Sequence, residues 1–155
     1  MSEPVIREGR LDEGPVLAAA FRQMWLDNAV PESAIEPDWA ERVQRFVDEG
    51  RAEDGLRFFV AEVDGAVIGT ACGQRFAGLY PAILVPEVRR YGYVWGVWVD
   101  AAWRRRGLGR RLTEACVDAL RADACTHVLL HAAPSGLRIY EGLGFVPTNE
   151  LRLTL

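Results

Sequence analysis

The stretch Trp98-Val-Asp-Ala-Ala-Trp-Arg-Arg-Arg-Gly-Leu-Gly-Arg-Arg-Leu112 sets five arginines around two glycines, where an apolar run gives way to a helical pattern. A helix that starts directly after a strand presents several backbone N–H groups with no intrahelical acceptor, and its dipole adds roughly half a positive charge at the same point. Gly107 and Gly109 carry no Cβ that would hold a ligand off the backbone. Arg104, Arg105, Arg106 and Arg110 bring permanently charged forks that can reach individual oxygens. Arginine opposes the dipole at a helix N-terminus, so a cluster placed there points to a compensating anion, and two linked phosphates fit the arrangement. The bland alternative is an arginine-rich first turn facing solvent. Neither the GxxxxGK[ST] nucleotide loop nor the GxGxxG dinucleotide fingerprint is present.

The rest of the composition makes this corner an exception. The chain of 155 residues has 18 basic and 22 acidic side chains, a net charge of -4. That balance gives no general attraction to nucleic acid or anionic lipid, so an anion site must be local. Cys72, Cys116 and Cys125 have neither metal-ligand nor disulfide-framework spacing. They are expected to be reduced and structural, with no metal bound. No apolar run approaches the ~20 residues of a membrane span, and the first residues lack the pattern of a secretory signal. A soluble, cytoplasmic chain is expected, folded as one domain over residues 1–155.

The elements that must position the corner follow from periodicity. Pro4 to Glu8 reads as a strand. Asp12 is expected to cap a helix carrying Val16, Leu17, Ala20, Phe21, Met24 and Trp25 on its apolar face and ending near Asn28. Asp38 to Gly50 reads as a second helix closed by Gly50, with Trp39, Val43, Phe46 and Val47 on one face. Asp64-Gly65 joins two strands in a hairpin. The run YGYVWGVWVD suits a central strand covered on both faces. It leads through the arginine corner to a helix with Leu108, Leu112, Ala115, Cys116, Ala119 and Leu120 inward. THVLLHA reads as a buried strand, SGLRIYEGLGF as a short helix ending at Gly144, and ELRLTL as an alternating last strand. The order β-α-α-β-β-β-α-β-α-β-β predicts an α/β fold: one mixed sheet with helices on both faces, antiparallel through the hairpin and parallel where helices intervene.

At Arg104-Arg105-Arg106-Gly107-Leu108-Gly109 the chain resembles the GNAT superfamily of acyl-CoA-dependent N-acetyltransferases, whose signature is Arg/Gln-x-x-Gly-x-Gly/Ala after a strand and opening a helix. IYEGLGF, Ile139 to Phe145, resembles the family's Tyr-Glu-x-x-Gly-Phe segment, and the order of the two motifs extends the likeness over nearly the whole chain. The resemblance implies a sheet splayed beside the fourth strand, usually at a bulge, where Val97, Trp98 and Val99 would line the pantetheine arm of coenzyme A. Val97 and Val99 would make the peptide-like hydrogen bonds. The loop Arg104, Arg105, Arg106, Gly107, Leu108, Gly109 and Arg110 would hold the pyrophosphate. It implies acetyl transfer from acetyl-CoA to a primary amine of a small molecule or peptide, by direct attack through a tetrahedral intermediate, with Tyr140 protonating the departing thiolate. A homodimer through terminal strands or helices is common in similar proteins.

Two positions depart from the family. Ala133 stands where many members have an asparagine contacting the cofactor arm, with Ser135 or a water as substitutes. No acid lies on the strand YGYVWGVWV, where many members place a base; His131, Glu62, Asp27 and a water chain are the alternatives. The acids Asp27, Glu32, Glu36 and Asp38 between the first two helices would favour a cationic amine. Two other functions compete with the enzyme: a CoA-binding sensor that has lost turnover, and a nucleic-acid binder using the arginines on phosphates.

Overall fold

Asp64 and Gly65 turn the chain with φ of +48° and +82°, the left-handed pair that a two-residue hairpin needs to match the twist of its strands. The computed structural model describes residues 2–155. The hairpin joins β2 (Arg57–Val63) to β3 (Ala66–Arg75). With β1 (Val5–Glu8), β4 (Tyr91–Val99) and β5 (His127–Leu129) these form one sheet in the order β1-β2-β3-β4-β5. Helices α1 (Gly14–Asp27) and α2 (Trp39–Glu53) cover one face and α3 (Leu108–Ala122) the other. A short helix, α4 (Leu137–Gly142), follows β5.

The two faces have separate cores. Leu17, Val43 and Val47 of α1 and α2 pack on Phe58, Val60 and Cys72. Leu108, Leu112, Cys116 and Leu120 of α3 pack on Ala61, Ile68 and Val94. Leu112 is fully buried, and its truncation to alanine would cost about 2–5 kcal/mol. The α3 stripe is the one its periodicity predicts, with Ala115 and Ala119 at its half-buried margin.

Several expectations need correction. Asp12 does not cap α1; it lies in a 3-10 turn, Leu11–Glu13, and Glu13 occupies the cap position. Glu13 is instead held by Arg7 at 2.7 Å, which pushes its carboxyl down to about 2. Gly50 does not close α2, which continues to Glu53; a Cβ at Gly50 would meet Leu56 at 2.8 Å, so this glycine lets the next segment pack close. β1 and β2 are antiparallel although helices intervene, because with two successive helices the chain reverses three times, an odd number, and comes back against β1 in the opposite sense. Only β4 and β5, joined through α3, are parallel. ELRLTL forms no strand: its alternating leucines meet no free ladder, and Leu151 is 95% exposed.

The feature that shapes the site lies on β4. Thr70 pairs with Trp98 and Cys72 with Trp95, so Ala71 alone faces Gly96 and Val97. This is a β-bulge, and Gly96 takes it up with φ +64°. The buried Thr70 hydroxyl donates to the Gly96 carbonyl at 3.0 Å and pins it. The extra residue also resets the alternation: Val94, Val97 and Val99 point to the α3 core, while Trp95 packs with α1 and α2. On its other edge β4 pairs with β5 only through Tyr91, Gly92 and Tyr93. From Val94 to Val99 the two strands part.

Candidate active site

The parted edge of β4 runs directly into the arginine corner. The Asp100 side chain accepts from the Ala102 amide at 2.9 Å, shaping a 3-10 turn at Ala101–Trp103. Arg105 and Gly107 then adopt φ of +62° and +76°, a left-handed residue on either side of Arg106. The first intrahelical bond of α3 runs from the Arg111 amide to the Gly107 carbonyl at 3.1 Å. The amides of Leu108, Gly109 and Arg110 therefore have no intrahelical acceptor, and no side chain caps them. This is a backbone cradle for an anion.

The two glycines do different work. A Cβ at Gly107 would meet nothing within 4 Å, so its requirement is the left-handed φ and open approach for a ligand. A Cβ at Gly109 would lie 3.4 Å from Ile139 and 4.0 Å from Val99. Gly109 thus seats α3 against α4 and β4, and clearing a ligand's path is the task of Gly107. The arginines are also differentiated. Arg104 turns back to Asp27 at 2.5 Å and to the Val99 carbonyl at 2.9 Å. Arg106 stacks over Trp103 at 4.6 Å, and Arg110 pairs with Glu114 at 3.1 Å. Arg105 alone of the four has no protein partner among the described residues.

Tyr140 stands on α4 beside this cradle, 9% exposed. Its place is set by the end of the helix. Gly144, at φ +94°, lets the Phe145 amide reach the Tyr140 carbonyl at 3.0 Å and the Gly144 amide reach that of Glu141 at 3.0 Å, which closes the helix in a Schellman turn. The same turn lays the Phe145 ring edge-on against Tyr140, centroids 6.0 Å apart. The spacing of Tyr140, Gly144 and Phe145 is therefore one device for holding a phenol. Burial raises the Tyr140 pKa, keeping it a neutral donor, and no protein group among the described residues accepts from its hydroxyl or seals it off from solvent. Neighbouring Cys116 is pushed up to about 12 by burial and is no nucleophile at neutral pH. Ala133 has no side-chain amide to offer and its carbonyl is already bonded to the Gly136 amide at 2.9 Å, and Ser135 is exposed.

The base alternatives separate cleanly. Glu62 lies on β2, bound to Arg7 at 2.5 Å, away from the parted strands. Asp27 ends α1; burial raises its pKa, but hydrogen bonds from Gln23, Trp98 and Arg104 outweigh that and hold it below the ordinary value. It is an anchored carboxylate that fixes the Trp98 indole at 3.0 Å. His131 lies at the mouth of the gap, bonded to Tyr93 and Glu150. The acids expected to attract a cationic amine each have an arginine partner: Asp27 has Arg104, Glu32 has Arg22, and Asp38 shares Arg42 with the more distant Glu36, so the four carboxylates keep one negative charge in excess. What remains at the mouth is aromatic, with Phe21 and Phe46 packed edge-on to Trp95 at 5.2 and 5.4 Å. Sequence reasoning missed Tyr93 and Glu150. Tyr93 was legible only as one more aromatic on a β-run, and Glu150 lies in a segment with no motif.

A strand parted at a bulge, a backbone cradle at a helix start and a buried phenol beside it are the features that the likeness to acyl-CoA-dependent acetyltransferases leads one to expect. The family model described as "Acetyltransferase (GNAT) family" matches residues 18–145, and the chain belongs to that family. A predicted acetyltransferase from Clostridium acetobutylicum, crystallised with acetyl-CoA, has the same fold at a TM-score of 0.83 and 19% identity, over 98% of this chain and 96% of that one. An N-alpha-acetyltransferase of Sulfurisphaera tokodaii is 30% identical over 112 residues, 69% of this chain and 66% of that protein. Glucosamine 6-phosphate N-acetyltransferase 1 of rice (Oryza sativa) is 40% identical over 60 residues, 39% of this chain and 36% of that protein. The matched regions thus span from about a third to about two thirds of these curated relatives. No helix among the described residues is long and apolar enough to cross a membrane.

Proposed function

We propose that the chain transfers an acetyl group from acetyl-CoA to the primary amine of a small molecule or peptide. One observation carries this reading: the free amides of α3, the unpaired edge of β4 and the helix that bears Tyr140 adjoin at Gly109, where a Cβ would lie 4.0 Å from Val99 and 3.4 Å from Ile139, the residue before Tyr140. A pyrophosphate in the cradle of Leu108, Gly109 and Arg110 would set an extended amide-bearing arm beside Val97 and Val99, whose edge has no strand partner and can bond it as a strand would, with the Val99 carbonyl shared with Arg104. The thioester then lies near the bulge. The amine nitrogen attacks the carbonyl carbon, the C–S bond breaks with its electron pair on sulfur, and Tyr140 supplies the thiolate's proton. A neutral, buried phenol with no protein acceptor suits that step.

The relatives named as acting on protein N-termini and on glucosamine 6-phosphate support an amine acceptor as the shared chemistry. The arginine partners of Asp27, Glu32, Glu36 and Asp38 leave only one negative charge in excess for recognition at the first two helices. The test is free-CoA release from acetyl-CoA across a panel of small amines and short peptides, alongside calorimetry of acetyl-CoA binding. Turnover with at least one amine is expected. Tight acetyl-CoA binding with no turnover on any acceptor would instead identify a sensor.

A further inference from the structure

Where β4 and β5 part, three side chains from three segments form a hydrogen-bonded line. Tyr93 and Leu129 are the last paired residues of the two strands. Tyr93 shares its face of β4 with Trp95, two positions on, ahead of the bulge at Gly96. Its hydroxyl is hydrogen-bonded to His131 Nδ1, and His131 Nε2 lies 2.6 Å from Glu150 Oε2. Glu150 comes from the extended C-terminal segment, 19 residues beyond His131.

The chemistry of the three groups gives this line a direction. A carboxylate only accepts, so His131 Nε2 carries the hydrogen given to Glu150 and Nδ1 is left as the acceptor. Tyr93 therefore donates to Nδ1, and its oxygen keeps lone pairs free to accept. Trp95, which could have competed, donates its indole N–H to Gln74 at 2.8 Å. Both His131 and Glu150 are 57% exposed at the side chain. An exposed pair of this kind contributes little to stability, yet it gives a proton a short path to water.

We infer that Tyr93, His131 and Glu150 form a proton relay serving the acceptor amine, with Tyr93 Oη the atom that meets the amine directly or through one water. The inference rests on the acetyl-transfer reading above. As the amine nitrogen bonds to the thioester carbon, one N–H proton passes to Tyr93 Oη while the tyrosine's own proton passes to His131 Nδ1. The resulting imidazolium is held against the Glu150 carboxylate and gives its proton to water. The sulfur, leaving with the C–S electron pair, is protonated by Tyr140, which recovers its proton from solvent. Burial and the nearby Glu150 charge raise the Tyr93 pKa, so the phenol stays neutral between turnovers. Titratable groups on the surrounding elements include Tyr91 and His127, stacked at 5.0 Å two positions along the ladder, Arg89 over Tyr91 at 4.3 Å, Arg75 of β3, turned away to Asp123 and the Glu53 carbonyl, and the buried Cys72 of β3. Gln74, Phe76 and Trp95 face the relay without charge.

The experiment measures kcat and kcat/KM against pH for the wild type, Tyr93→Phe, His131→Gln and Glu150→Gln, with an amine found active in the panel and with acetyl-CoA affinity measured for each. Tyr93→Phe and His131→Gln are expected to lower kcat on the order of a hundredfold with acetyl-CoA affinity unchanged. Glu150→Gln should lower it less, because the ring keeps its place and loses only the carboxylate against which the imidazolium forms. The two exposed positions are included because their substitution leaves the core intact, so their outcome stands even if Tyr93→Phe perturbs packing. Wild-type kcat and an unmoved pH profile in His131→Gln and Glu150→Gln would overturn the relay while leaving acetyl transfer in place. Failure of the wild type itself to release CoA with any amine would overturn the underlying reading, and the relay with it.

Discussion

The two ends of the cleft are made of different material. At the proposed phosphate end the candidate ligating groups are main-chain amides, aimed by the left-handed Arg105 and Gly107 and by the first turn of α3. At the proposed acceptor end they are side chains brought together from β4, from the chain after β5 and from the C-terminal segment. A backbone site depends on conformation, so it tolerates exchange of many side chains and fails when a conformation is denied. A side-chain site depends on identities, so it fails when one functional group is removed and the fold is kept.

The largest effect should follow from deleting one functional group between the two ends. Tyr140→Phe keeps the ring, its contact with Phe145 and the Schellman turn. It removes the neutral donor proposed to stand beside the sulfur. Turnover should fall on the order of a hundredfold or more, with acetyl-CoA affinity unchanged by calorimetry. Equal losses of kcat and affinity would make Tyr140 part of the phosphate-end architecture and blur the contrast.

The same contrast explains what the sequence made legible. The arginine corner and the Tyr140 segment could be read because a backbone site needs glycine at particular places within a few contiguous residues, as Gly107 and Gly144 show. The mixed sheet and the helices on both faces could be read because their apolar periodicity is local. The relay could not: Tyr93, His131 and Glu150 meet only after β4 and β5 have paired and the chain has returned past α4. The arginines misled in part, since sequence gives charge and reach but not the partner; Arg104 spends its fork on Asp27 and Val99. ELRLTL alternates like a strand, but alternation makes a strand only where an edge offers hydrogen bonds, and here none is paired with it.

An intermediate effect is expected from denying the phosphate end its conformation. Gly107→Ala adds a single methyl into open space, so no clash accompanies it. The left-handed φ of +76° nonetheless costs a non-glycine residue roughly 1–2 kcal/mol. The loop should shift away from its binding shape and acetyl-CoA affinity fall by about tenfold, with thermal stability nearly unchanged. Gly109→Leu should do the opposite, lowering the melting temperature as well, because its side chain enters the contact between Ile139 and Val99. Equal behaviour of the two variants would mean that the glycines share one role.

The smallest effect should come from the arginine that looks most available. Arg105 is exposed and, among the described residues, without a protein partner, so removing it breaks no structure. Its left-handed φ is as costly for alanine as for arginine, so Arg105→Ala leaves the turn where it is. What is lost is one solvated charge near a phosphate, an interaction that water weakens and salt screens over about 10 Å at 0.1 M. Acetyl-CoA affinity should drop only a fewfold at low salt, and the difference from wild type should shrink as salt is raised. Arg104→Ala supplies the control, since its effect should not fade with salt in the same way: it frees Asp27 and the Val99 carbonyl from a close, partly buried contact. A loss for Arg105→Ala larger than that for Gly107→Ala, and insensitive to salt, would show that the phosphate end is held by side chains after all.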